Sequence, residues 1–127
     1  MSKRNMRAIQ AVSVTPVEFH ILLALADADR HGYALMQQIA SDSRGAVRLG
    51  PGTLYGAIRR LLDYGYIREV ESRIDPGLDD ARRKYYRLTT SGRTAAVDEA
   101  RRLESLVSLA YFRQLLATQA RAKGGRP

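Results

Sequence analysis

The chain has no cysteine, no tryptophan, two histidines and three lysines. Without thiols there is no disulfide framework, zinc ribbon, iron–sulfur ligation or thiolate nucleophile. His20 and His31 are eleven residues apart and lack HExxH-type spacing, so neither a metal site nor a cofactor is expected. The longest clean apolar run, Ile21–Ala26, is far short of the roughly 20 residues that span a bilayer. The first residues are basic, but no apolar stretch follows them. No secretory signal is read, no membrane partner is expected, and a cytoplasmic protein is the default expectation.

What the chain does have is positive charge. Its 127 residues suit one domain, with 21 Lys and Arg against 13 Asp and Glu, a formal net charge of +8. Eighteen of those cations are arginine, whose guanidinium fork matches phosphate oxygens and base edges. A polyanionic partner fits this composition. The surplus is uneven, however. Residues 1–50 carry six cations and four anions, residues 51–100 nine and eight, and residues 101–127 six and one. Net charge alone therefore locates no binding face.

Punctuation along the chain gives the organisation. Residues 1–14 read as a basic N-terminal arm. Thr15-Pro16-Val17-Glu18 combines an N-cap, a proline at the first helical position and a capping box. It opens a first helix over about 15–28, with Phe19, Leu22, Leu23, Leu25 and Ala26 on its apolar face. A second helix is predicted over about 32–43, with Leu35, Met36, Ile39 and Ala40 inward and Gly45 closing it. Ala46–Leu49 reads as a minimal strand. Gly50-Pro51-Gly52-Thr53 opens a third helix with Leu54, Ile58, Leu61 and Leu62 buried, and Gly65 closes it. The period then shifts towards two over Tyr66–Ser72 and Arg83–Leu88, around an Asp75-Pro76-Gly77 turn, which predicts a β-hairpin. Thr89-Thr90-Ser91-Gly92 offers hydroxyl caps to a last helix over about 91–119. Residues 120–127 have the composition of a disordered basic tail. The fold class is mainly α with a small β-hairpin: a winged helix-turn-helix over 15–90, then a long C-terminal dimerisation helix.

Three segments carry the candidate chemistry. Outside its core stripe the third helix presents Pro51, Gly52, Thr53, Tyr55, Gly56, Arg59, Arg60 and Asp63. A helix N-terminus offers unpaired N–H groups to phosphate, arginine can fork onto guanine, and threonine can meet a thymine methyl. On the pattern alone, a plain helix start with solvated arginines explains these residues equally well. In the hairpin, Arg82, Arg83 and Lys84 precede Tyr85, Tyr86 and Arg87, a mixture suited to a sugar–phosphate backbone. Alternation turns Tyr86 and Leu88 inward. Asp75, Asp79 and Asp80 offer the competing reading of salt pairing within the tip. The last helix begins as a single stripe, but from Leu106 its apolar residues spread nearly all round. Such a surplus is economically covered by a second copy, through Leu103, Leu106, Val107, Leu109, Ala110, Phe112 and Leu116. His20 reads as structural or surface, and His31 as a cap or packing residue. The carboxylates form no isolated pair for acid–base work, and Gly50, Gly52 and Gly56 do not complete a nucleotide loop, so no enzyme is expected.

His31-Gly32-Tyr33-Ala34-Leu35, Leu49-Gly50-Pro51-Gly52-Thr53-Leu54-Tyr55, Gly65-Tyr66-Ile67 and Arg82-Arg83-Lys84-Tyr85-Tyr86-Arg87-Leu88-Thr89 together resemble the PadR family of transcriptional regulators, over about residues 15–110. The resemblance implies a homodimeric repressor whose third helix enters the major groove of a double-stranded operator, with Arg82–Lys84 in the wing. It also implies that a small apolar or aromatic effector is one partner to test. The position after Tyr55, frequently proline in that family, is Gly56 here. The stacked-tryptophan drug site of some relatives has no counterpart in a chain without tryptophan. A different class, an effector-binding or protein-interaction module with secondary DNA contact, is the alternative. A basic RNA-associated winged helix fits less well, because the arginines follow the third helix and wing.

Overall fold

The computed structural model describes residues 13–71 and 84–117. Within them the order is α1 (Pro16–Ala24), β1 (Arg30–His31), α2 (Gly32–Asp42), α3 (Pro51–Tyr64), β2 (Ile67–Val70), β3 (Tyr85–Leu88) and α4 (Thr90–Phe112). The three strands form one antiparallel sheet in the order β1-β3-β2. The architecture is mainly helical with a small sheet, as the sequence implies. The expected arm, apart from residues 13 and 14, and the tail lie outside the described residues, as do the hairpin turn, Arg82 and Arg83.

The helix starts follow their caps. Thr15 and Glu18 form the capping box at α1, and the Thr89 hydroxyl accepts the Gly92 N–H at α4. His31 caps α2, its Nδ1 accepting the Ala34 N–H at 3.2 Å, and its ring meets Tyr85 edge-on. The ends of α2, α3 and α4 are followed by left-handed residues. At α3, Gly65 adopts φ 78° while the Tyr66 N–H returns to the Leu61 carbonyl. That 6→1 closure is the Schellman arrangement.

Four expectations need correction. Helix one stops at Ala24 rather than near residue 28, and two arginines take the carbonyls around its end. Arg30 Nε donates to Ala24 O at 2.7 Å and Arg93 Nη2 to Ala26 O at 3.1 Å, cations suited to a helix C-terminus. The face of α1 is also rotated from the expected one: Ile21, Leu22, Ala24 and Leu25 are buried, whereas Leu23 is 43% exposed. Residues 46–49 form no strand. The Val47 N–H is taken by the Ser43 hydroxyl at 2.9 Å, which folds this segment onto the end of α2. The third strand is instead β1, with Arg30 opposite Tyr86 and His31 opposite Tyr85. Finally, α4 ends at Phe112 rather than near 119. Gln114 takes φ 66°, and the Leu115 N–H closes on Ala110 O at 2.8 Å, a Schellman end built without glycine.

The core lies where the helices meet the sheet. Ile21 and Leu22, Leu35 and Ile39, and Leu54, Ala57, Ile58 and Leu61 pack with Ile67, Tyr86 and Ala95. Burial raises the Tyr86 phenol above its ordinary pKa, helped by nearby Tyr55 and Glu69. Only the start of α4 joins this core, through Gly92, Ala95 and Glu99. Gly92 is needed there, since a Cβ would collide with the Tyr66 carbonyl oxygen. Glu99 is satisfied on its own helix by both Nε and Nη2 of Arg102, which holds its carboxyl below the usual range.

Candidate nucleic-acid interface

The burial of Leu54, Ala57, Ile58 and Leu61 fixes which side of α3 faces out. Gly52, Gly56, Arg59 and Asp63 recur at i, i+4, i+7 and i+11 on the opposite side, the spacing of one helical face. The first half of that face is backbone. A Cβ at Gly52 would meet nothing within 4 Å, and one at Gly56 only Arg60 Nη1 at 3.8 Å. Neither glycine has a positive φ. Packing and turn geometry therefore give no reason for either, although glycine inside a helix costs roughly 0.5–1 kcal/mol relative to alanine.

The start of α3 is open as well. Thr15, His31 and Thr89 cap α1, α2 and α4 with side chains, but Gly50 gives α3 no side-chain cap. Pro51 has no N–H to satisfy, so the amides of Gly52 and Thr53 make up the exposed donor end. Such an end favours anions. Arg59 is exposed and has no hydrogen-bond or ion-pair partner among the described residues.

The flanks of α3 are held by the fold. Tyr55, 44% exposed, lays its ring over Gly32 at the start of α2, and a Cβ there would collide with the phenol oxygen. On the other flank Arg60 Nε donates to the buried Glu18 Oε2 at 2.6 Å. Thus Pro51, Gly52, Thr53, Gly56 and Arg59 share one open surface, while Tyr55 and Arg60 are each tied to a neighbouring helix.

The wing brings more charge. Lys84 lies 3.7 Å from Glu69. Arg68 and Arg87 stand directly opposite each other on β2 and β3, a pairing of like charges that destabilises a sheet unless compensated. Asp29, just before β1, compensates it by accepting from Arg87 Nε at 3.0 Å and Nη2 at 2.8 Å. The Arg87 hydrogen bonds hold the Asp29 carboxyl below its ordinary pKa against a smaller desolvation effect. Sequence reasoning missed this clamp, as well as the Gly32 seat of Tyr55.

Residues 21–98 match the model of the transcriptional regulator PadR-like family. The transcriptional regulator Rv3488 of Mycobacterium tuberculosis is 36% identical over 108 residues, covering 85% of this chain and 90% of that protein. The chain belongs to the PadR-like family. It is a transcriptional regulator, not an enzyme. Among solved structures, a PadR family regulator from Clostridium difficile superposes with a TM-score of 0.66 at 24% identity, over 76% of this chain and 96% of that one. Bacillus subtilis PadR in complex with operator DNA gives 0.56 at 21%, over 68% of this chain and 47% of that one. The common fold is the winged helix-turn-helix.

In this PadR-like chain the second half of α4 stands away from the core. Leu106, Val107, Leu109, Tyr111, Phe112, Leu115 and Leu116 are exposed, Phe112 at 82%, while Leu103 and Ala110 are half-buried. No helix among the described residues is long and apolar enough to cross a membrane, and no group of His, Cys, Asp or Glu among them is placed to hold a metal.

Proposed function

We propose that the protein is a homodimeric, sequence-specific DNA-binding repressor acting in the cytoplasm. The observation that carries the reading is the outward face of α3: a start without a side-chain cap, two glycines that no packing contact requires, and an arginine two turns on without a partner among the described residues. No contact among the described residues accounts for these features. All suit a helix end pressed into a major groove about 12 Å wide. Pro51, Gly52, Thr53, Gly56 and Arg59 then address bases and the nearest phosphate, with Tyr55 beside them. Arg60 and the Arg82-Arg83-Lys84 segment serve the backbone. The operator complex of Bacillus subtilis PadR supports DNA as the partner class.

The apolar second half of α4 supports the dimer. Leu103, Leu106, Val107, Leu109, Ala110 and Phe112, with Leu116 just beyond the helix end, form a surplus that a second copy covers by two-fold symmetry. Two recognition helices then meet half-sites roughly 34 Å apart. The domain division follows: a reading domain over 15–90 and an assembling helix from residue 91. Repression is tested by placing the gene's own upstream region before a reporter, with and without the protein. A gel shift on the same DNA against random duplex at matched salt tests binding. Lower reporter output with preferential binding supports the reading; equal affinity for both duplexes refutes it.

A further inference from the structure

Glu18 and Glu99 are the two charged side chains buried among the described residues, and they are used differently. Glu99 serves its own helix through Arg102. Glu18 joins two elements, since Oε1 accepts the Thr15 N–H at 2.9 Å and Oε2 accepts Arg60 Nε at 2.6 Å. A buried ion pair is weak support for stability, because desolvation offsets much of the attraction. Its effect on geometry is clearer. One edge of the Arg60 guanidinium is pinned to the root of α1, and Nη1 lies over Gly56. The side chain stays 48% exposed, and neither Nη group has a hydrogen-bond partner among the described residues. The result is a guanidinium fixed in place before any ligand arrives, with both Nη groups left to donate and Nη1 beside the flank of α3. A planar fork held this way loses little freedom when it meets an oxyanion.

We infer that Glu18 is a positioning residue for DNA recognition: it holds Arg60 over Gly56 so that the two Nη groups grip one backbone phosphate beside the recognition helix. This rests on the reading of α3 as that helix. The position on the flank of the glycine face, rather than at its centre, favours phosphate over a base edge.

The test uses the full chain, an operator duplex obtained by selection, and a random duplex, with affinity measured by fluorescence anisotropy across a salt series below every variant's melting temperature. Arg60→Ala should weaken both duplexes alike and make the salt slope shallower by about one unit per bound protomer. Glu18→Gln keeps an oxygen for Thr15 but turns an amide donor towards Arg60 Nε, which displaces the guanidinium. It should reproduce the slope change, and the double variant should bind no more weakly than Arg60→Ala. Arg60→Lys can keep the pairing with Glu18, so it guards against a folding failure, and it should also lose the phosphate grip. A wild-type slope and affinity in Glu18→Gln or Arg60→Lys would overturn the proposal. So would additive losses in the double variant, or a loss in Arg60→Ala confined to the operator. Wild-type protein that binds neither duplex would refute the DNA reading itself; wild-type binding that Arg59→Ala weakens and Glu18→Gln leaves intact would refute this inference alone.

Discussion

Gly56→Ala separates folding from recognition because the two effects should have opposite signs. Gly56 sits in the interior of α3 with an ordinary helical φ, and an added Cβ meets only Arg60 Nη1 at 3.8 Å, a normal contact. Alanine there should stabilise the protein by about 0.5–1 kcal/mol, mainly by restricting the unfolded chain. For a domain of this size that is a rise in melting temperature of roughly 2–6 °C. The same methyl group protrudes from the face proposed to meet the groove. If it displaces one good base contact, the cost is about 1–3 kcal/mol, or roughly 5- to 150-fold in operator affinity. Thermal denaturation and anisotropy titration on one protein preparation measure both. A higher melting temperature with unchanged operator affinity would show that the glycine face does not approach DNA. A lower melting temperature would show that the space over Gly56 is not open.

Arg59→Ala should reduce operator affinity by about 1–3 kcal/mol more than random-duplex affinity, and equal losses by titration would reassign Arg59 to a phosphate. Leu106→Glu should convert the dimer to monomer in sedimentation experiments, and an intact dimer would remove Leu106 from the interface. The Asp29 carboxyl titrates lower in the folded chain than in the unfolded one, so its pairing with Arg87 adds stability above the ordinary aspartate pKa, and that contribution fades as pH falls through the folded value. The gap in melting temperature between wild type and Asp29→Asn should therefore be constant from about pH 5 to 8 and close below about pH 4. A gap that persists at low pH would contradict the clamp.

Where a residue states its own local conformation, the fold is legible in the sequence. Thr15 with Glu18, Pro51 and Gly65 mark helix boundaries through geometry that the chain carries within a few residues. The missed features depend on distance or on unusual residues. β1 is two residues long and acquires its identity only by pairing with Tyr85 and Tyr86, more than fifty positions away. The end of α4 is hidden because glutamine, not glycine, takes the left-handed position. At the candidate site, composition counts arginines but cannot tell which are already engaged. Arg30 and Arg93 close the end of α1, Arg87 holds Asp29, Arg102 holds Glu99, and Arg60 is pinned by a residue 42 positions earlier. Arg44, Arg48, Arg101 and Arg113 also lack a side-chain partner among the described residues, so Arg59 stands out by its place on the outward face of α3. The +8 charge therefore says less about recognition than the single open face of α3.

The most direct measurement of the central claim is selection of bound sequences from a pool of random duplexes by the full-length protein. Two recognition helices related by two-fold symmetry should enrich an inverted repeat whose half-site centres lie about one helical turn apart, near 10 base pairs. The Gly56→Ala and Arg59→Ala variants should enrich it less. A bound pool without any enriched motif, or an enriched motif that both variants select as strongly as the wild type, would contradict recognition by the open face of α3.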